Sequence, residues 1–339
     1  MTTVRTRHVR RVALTVAACA LPSLLTACGG HDGDGALPPA NPYSTTPAAS
    51  PSASMPAVTS PLTGLPVHGG RDRATRPAFG VGISGPDVSG LDDADIVYEE
   101  ISDPVRYIAV YQSRDSDRIG PLGQGRSTDP QALGPLRAGL GYLSMRSGPH
   151  SQMSKMNVPD LGYPKHSGAY TSSGGHTYTS TKDMYSAIGK MHDKPRRPPE
   201  PFGFASDGKP LASTGLKKAA KLRVRVPGEG TQTWSYAKDR WTRGGAGPHV
   251  SVANVIIQHT TYKPTNIAHG GVTAPKAKVF GDGSVDVVSG GHAASGRWVR
   301  KAADSLMLYV DGDSFPFRFA PGRTWVLFAP PGTSVKVGS

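Results

Sequence analysis

The stretch Asp95 to Arg126, DIVYEEISDPVRYIAVYQSRDSDRIGPLGQGR, decides the fold. IVYEE and VRYIAVYQS are runs of β-branched and aromatic residues, which favour strands, and IGPLGQGR is a glycine-rich turn. Successive side chains of a strand point to opposite faces. Asp95, Val97 and Glu99 therefore share one face, and Ile96, Tyr98 and Glu100 the other. The two glutamates cannot line one pocket unless the strand bulges. The same alternation groups Arg106, Ile108, Val110 and Gln112 against Val105, Tyr107, Ala109 and Tyr111. Arg106 and Arg126 are the cations near these carboxylates, so this stretch is the candidate site.

Upstream, RPAFGVGI (Arg76 to Ile83) reads as another strand. Downstream, a short helix is expected from Thr128 through QALGPLRAG, with Pro130 in its first turn and Pro135 limiting its length. Leu140 to Met145 reads as a strand, and Arg146 to Tyr185, rich in Ser, Gly and His, mostly as loop. A helix from Lys182 to Met191 follows, capped by Ser180 or Thr181. KPRRPPEP (194–201) has polyproline composition and links two halves. From Leu222 nearly everything is strand-like. LRVRV alternates strictly, QTWSYAKDRWTR is a hairpin around Lys238-Asp239, SVANVIIQHTTY is a long central strand and TWVLF the final hydrophobic one. Gly281-Asp282-Gly283 and later glycine pairs read as turns.

The N-terminus has a different character. Residues 1–28 combine a basic start (RTRHVRR), an apolar run (VALTVAACALPSLL) and small residues before a cysteine, which is the layout of an export signal. Leu25-Thr26-Ala27-Cys28 looks like the lipobox of bacterial lipoproteins, with Cys28 lipidated and becoming the mature N-terminus. The apolar run is too short for a transmembrane helix and is interrupted by Pro22. Arg10-Arg11 leaves the twin-arginine and general export routes both open. Residues 29–60, dominated by Gly/Asp and then Pro/Ala/Ser/Thr, cannot bury enough apolar area to offset their ordering entropy and read as a disordered tether.

The expected organisation is thus a signal peptide at 1–28, a tether at 29–60, a first domain at 61–193, a linker at 194–221 and a β-rich second domain at 222–339. The expected address is the extracytoplasmic face of the cell membrane, reached through lipid on Cys28. The chain carries 38 Lys+Arg against 25 Asp+Glu, a net charge of +13; without the four arginines of the signal about +9 remains. That surplus favours an anionic wall polymer or envelope protein as partner and gives no reason to invoke nucleic acid. Cys19 and Cys28 are the two cysteines, so the folded body has no disulfide framework, thiol nucleophile or cysteine metal site.

Motifs of enzyme families are missing: the chain has no GxSxG, HExxH or Walker A loop. Ser206–Lys209 and Ser235–Lys238 match SxxK by chance, one on a turn and one on a hairpin. His249, His259 and His269 recur at ten-residue intervals, and His150, His166 and His176 cluster in one loop. Neither set has the spacing of a zinc site, and no cofactor is expected. Glu99 with His176 is the weak candidate for acid–base catalysis, as in a hydrolase of wall polymer. The competing reading pairs Glu99 or Asp103 with Arg106 and catalyses nothing. A non-enzymatic scaffold for another envelope enzyme is the third reading.

The blocks PLTGLP, RPAFGVGI, ADIVYE, VRYIAVYQS, IGPLGQGR, GGHTYTS, ANVIIQHT, SGRWVRK and FAPGRTWVLFAP, in this order, resemble the YerB-like bacterial lipoproteins, a two-domain family of unknown function. The resemblance runs from about residue 61 to the end. It implies an α+β, β-rich fold, with a three-layer ββα sandwich-like first domain and a mostly antiparallel second. It also points to Asp95, Tyr98, Glu99, Arg106, Gly120, Pro121, Arg126, His176 and Tyr178. Arg106, Arg126, His176, Tyr178, Asp95 and Glu99 are accordingly the expected ligand-binding set. This chain departs from the family pattern at Ser84 and Gly85 in place of an asparagine, at Asp103, at Gly123 in place of the first arginine of an RSxR turn, and at GGHT in place of PHN.

Overall fold

The structure, a computed structural model, describes residues 58–67, 71–102, 104–211, 216–263, 268–269, 272–273 and 275–339. The export signal, Cys28, the tether up to residue 57, Asp103 and the side chain of His269 lie outside the described residues. Among the described residues, no helix is long and apolar enough to cross a membrane.

The fold is α+β and β-rich, built on one large sheet. Its first-half strands are β1 (Phe79–Ser84), β2 (Ile96–Glu100), β3 (Arg106–Tyr111) and β4 (Gly139–Gly141). The second half supplies two sheets. A smaller one contains β5 (Lys221–Val226), β6 (Gly230–Ala237), β7 (Arg240–Gly245), β8 (Ser251–Val252) and, at the end of the chain, β14 (Ser334–Gly338). The others, β9 (Asn254–His259), β10 (Gly281–Ser289), β11 (His292–Arg300), β12 (Leu308–Val310) and β13 (Thr324–Ala329), join the large sheet.

The order in the large sheet is β12-β11-β10-β9-β13-β2-β3-β1-β4, with Lys217–Lys218 added alongside β11. Strand β13 is the seam. It runs parallel to β9 on one side, with Asn254 opposite Thr324, and parallel to β2 on the other, with Ile96 opposite Thr324. Strands of 61–193 and of 222–339 therefore hydrogen-bond within one sheet. Every residue of TWVLFA is buried, as a strand covered on both faces requires.

The smaller sheet, ordered β8-β7-β6-β5-β14, packs on one face of the large one through Leu222, Val224, Val226, Trp234 and Trp241. Helix α1 (Thr128–Leu133) and helix α2 (Ser147–Lys155) cover the opposite face with Leu133 and Met153. Helix α3 (Thr181–Lys190) lies on the first face through Met184 and Ile188. The result is three layers, with the second half supplying the outer sheet.

The strands expected at 76–83, 96–100 and 105–112 form as β1 (Phe79–Ser84), β2 (Ile96–Glu100) and β3 (Arg106–Tyr111), and a helix starts at Thr128 as expected. Ser180 caps α3, its Oγ accepting from Asp183 N at 3.1 Å. The β6–β7 hairpin turns at Lys238 and Asp239, both with positive φ, the conformation of a type I′ turn. Five expectations need correction. The strand expected from Leu140 to Met145 is confined to Gly139–Gly141. Residues 147–155 form α2 rather than loop, because Pro149 falls in the first turn, where its missing N–H costs nothing. The long strand at 251–262 is split, since Ser251–Val252 belongs to the small sheet and the chain crosses to the large one at Ala253. Gly281–Gly283 opens β10 instead of turning, because Gly283 leaves room for Trp298, whose Nε1 would lie 2.5 Å from an added Cβ. TWVLF is not the last strand; β14 follows it.

Candidate functional site

Alternation along β2 places its two glutamates on opposite faces, and each enters a different layer. Glu99, 1% exposed, faces the small sheet. Its Oε1 accepts from Arg243 Nη2 at 3.0 Å and Gln232 Nε2 at 3.0 Å. Its Oε2 accepts from Trp325 Nε1 at 2.8 Å and Arg243 Nη1 at 3.3 Å. Arg243 shares the inward face of β7 with Trp241, its Nε donates to Ala246 O at 3.0 Å, and it too is almost fully buried. Gly247, at φ +94°, is where an added Cβ would come within 2.3 Å of Arg243 Nη2. The carboxylate pins the two sheets together and has no oxygen left for a substrate.

Glu100 and Arg106 lie opposite each other in the register and face α1. Arg106 is fully buried and bidentate to Asp129, through Nη1 to Oδ1 and Nη2 to Oδ2, the latter at 2.6 Å. Its Nε donates to Gln124 O at 3.1 Å. The guanidinium lies over Gly82, where a Cβ would meet Nη2 at 2.3 Å, so RPAFGVGI needs a glycine at that position. Asp129 Oδ2 also accepts Arg126 N at 2.8 Å, which ties the turn to α1. This second pin joins the sheet to the helix layer.

Beside it, Glu100 Oε1 accepts from Thr128 Oγ1 and from Ala277 N at 3.2 Å. Oε2, 3.8 Å from Arg106 Nη1, makes no hydrogen bond. Burial pushes the Glu100 carboxyl above its ordinary value, only partly opposed by Arg106 and Thr128. Two half-buried cations complete the cluster. Burial, and then the like charge of Arg106, lower the Arg126 guanidinium, while Glu100 and Asp129 oppose that shift. Its Nη1 is buried without a hydrogen-bond partner. Burial also lowers the Lys276 amine, with Glu100 opposing. Tyr262 closes one side, its OH donating to Phe328 O at 2.7 Å and accepting from Ile101 N at 3.0 Å.

The other expected residues are dispersed. Asp95 is fully buried; its carboxylate accepts Gln112 N at 2.6 Å, Ser113 N at 2.7 Å and the Ser113 hydroxyl, yet burial keeps its pKa raised. Tyr98 stacks on Phe328 at 5.6 Å, and burial pushes its phenol up to about 12. With Gln258 and Arg300 it lines a cavity of about 30 Å³, room for one or two waters rather than a ligand. Tyr178 is buried against the turn at Gly120, with the Arg118 guanidinium 3.5 Å from its ring centroid. His176 is exposed on a hairpin in which it pairs with Ser173.

Arg106 and Arg126 thus share one cluster, with Arg126 backing onto the Arg106–Asp129 pair. Glu99 sits across the sheet from them, and Arg106 pairs with Asp129 rather than with Glu99. Among the described residues, no three His, Cys, Asp or Glu side chains are grouped to hold a metal ion. His259 instead pairs with Asp286 at 2.8 Å and His150 with Asp160 at 3.3 Å. Sequence reading missed Arg243, Asp129 and Lys276. Arg243 did leave a signal: in RWTR it falls on the same strand face as Trp241, so an inward arginine needing an acid was readable.

These features define a β-rich α+β protein whose two sequence segments share one sheet, pinned to its neighbouring layers by buried ion pairs. Residues 62–194 match the N-terminal domain, and residues 224–326 the C-terminal domain, of the family described as protein of unknown function DUF3048; the chain belongs to this YerB-like two-domain family. It is similar to the crystal structure of the YerB protein from Bacillus subtilis, with 19% identity, a TM-score of 0.66 and coverage of 82% of this chain and 99% of that one. At that identity the likeness shows the fold alone. Among curated proteins none matches the chain.

Proposed function

We propose that this is an exported envelope protein, lipid-anchored at Cys28, whose folded body binds a small anionic group, phosphate or carboxylate, through Arg126 and Lys276. The observation that carries the reading is the half-buried Arg126 guanidinium, its Nη1 buried and unpartnered and pressed by the like charge of Arg106. Glu100 and Asp129 supply two negative charges to the three positive ones of Arg106, Arg126 and Lys276. A buried cluster one anion short is stabilised by an incoming anion, and a planar guanidinium with a free donor edge suits phosphate or carboxylate. Arg106, held by Asp129, sets the position of Arg126 and need not touch the ligand.

Inorganic phosphate tests the site. Saturating phosphate should raise the melting temperature of the wild type, a ligand at a hundredfold excess over its Kd contributing about 2.7 kcal/mol. Arg126→Ala should abolish that rise while leaving the ligand-free melting temperature close to wild type. An equal phosphate response in both proteins, or a collapse of the ligand-free variant, would reject Arg126 as the receptor. The anchor is tested separately by the intact mass of the mature protein, expected to begin at a diacylated Cys28. Finding an unmodified chain that starts at Met1 would overturn the address.

A further inference from the structure

The outer face of the small sheet is a basic and hydroxylated plane. Lys221, Arg223 and Arg225 alternate outward along β5, with Leu222, Val224 and Val226 buried between them. On the neighbouring edge strand β14, Lys336 stands directly opposite Arg223, and Ser334 opposite Arg225. On the other side, Thr231, Thr233 and Ser235 of β6 stand opposite Arg225, Arg223 and Lys221. Thr242 and Ser251 continue the hydroxyl row, their oxygens 3.2 Å apart. None of the five strands contains an aspartate or glutamate. Among the described residues, Lys221, Arg223, Arg225 and Lys336 make no ion pair.

We infer that this face binds a polyol-phosphate polymer, laid along β5 with successive phosphates on Lys221, Arg223 and Arg225, Lys336 reinforcing the middle one and the spacer hydroxyls on the Thr/Ser rows. Three features select this occupant. Outward residues of a strand repeat at about 6.8 Å, and a phosphodiester repeat with a three-carbon polyol spans as many backbone bonds as two residues, so charge meets charge in register. A nucleic acid has the same backbone repeat but is held on its bases by exposed aromatic rings; here Trp234 and Trp241 are buried and no outward position of the five strands is aromatic. A bilayer is gripped by apolar side chains as well as charge, and the outward positions offer nothing larger than Ala237. The surface is separate from the Arg126 cluster, and the variants below leave Arg126 and Lys276 intact.

The experiment titrates the purified full chain with poly(glycerol phosphate), with oligothymidylate of equal charge and with phosphatidylglycerol vesicles, over a series of salt concentrations. Wild type should bind the polyol phosphate with a log–log salt slope of about −3, four contacts at roughly 0.7 ions released each. Arg223→Glu/Arg225→Glu should weaken that binding at least tenfold at unchanged melting temperature, and the milder Arg223→Gln/Arg225→Gln should lower the slope by about 1–2. Partitioning to the anionic vesicles should fall less than polymer binding does, because a lipid surface attracts the exposed arginines by charge alone, without the in-register spacing of the polyol phosphate. A change below twofold in both variants, tighter binding of oligothymidylate than of the polyol phosphate, or an equal loss on vesicles would each overturn the assignment.

Discussion

Arg106→Met lowers the unfolding free energy by about 3–5 kcal/mol, the cost of removing one partner from a buried ion pair. Arg106 is fully buried and its guanidinium occupies both oxygens of Asp129. In the variant, Oδ2 keeps the Arg126 amide, Oδ1 loses its donor, and Glu100 loses its nearest cation while remaining out of water. Methionine also leaves empty the space over Gly82 that the guanidinium fills. The pair's net worth is a separate matter, since replacing both members of a buried pair by apolar groups is often neutral. Arg106→Met/Asp129→Leu should therefore be less destabilised than the sum of its single variants by more than about 1 kcal/mol. Urea denaturation of the four proteins closes the cycle. A single-variant cost under about 1 kcal/mol would show that the sheet and helix layers hold together without this pair.

The faces of this cluster were legible because a strand's two-residue period is a property of the local chain. Reading 95–100 by alternation separates Glu99 from Glu100, but which of them meets Arg106 depends on the register between β2 and β3, which puts Glu100 and not the expected Glu99 opposite it. Partners were not legible where they come from distant sequence. Arg243 lies 144 positions from Glu99, and Trp325 lies 226; no local periodicity reports which strands stack. For the same reason β13 could be read as a strand but not as the seam between β2 and β9. Asp129 was hidden differently, since TDPQAL reads as a helix start in which an acidic residue is ordinary. Only its bidentate geometry shows that it holds Arg106 and the Arg126 amide together. The alternation of LRVRV was legible, but the meaning of its outward cations depends on Lys336 and the Thr/Ser rows, which the sheet brings alongside from other strands.

The adjacent glutamates of β2 should respond oppositely to the same substitution. Glu99→Gln replaces an anion that accepts four donors with an amide that has one acceptor oxygen, setting its NH2 against Arg243 and Trp325; the expected loss is about 3–5 kcal/mol. Glu100→Gln keeps an oxygen for Thr128 and Ala277 and removes a charge that burial disfavours, so at neutral pH it should cost no more than about 1 kcal/mol or should stabilise. The sign of the pH dependence follows from the raised folded-state pKa. Glu100 holds its proton more tightly folded than unfolded, so its contribution is intact below the ordinary carboxylate pKa and is lost as pH rises from there through the raised value. Each unit of that interval is worth about 1.36 kcal/mol. Asp95 is shifted in the same direction, and Asp160 and Asp286 in the opposite one. All three are common to both proteins and cancel on subtraction. The stability of Glu100→Gln minus that of wild type, followed by urea denaturation from acid to neutral pH, should therefore climb once the ordinary carboxylate range is passed. A flat difference curve would mean that Glu100 titrates normally, its burial offset by the cations around it; the cluster would then hold only the single surplus positive charge of three cations against two carboxylates, and no more.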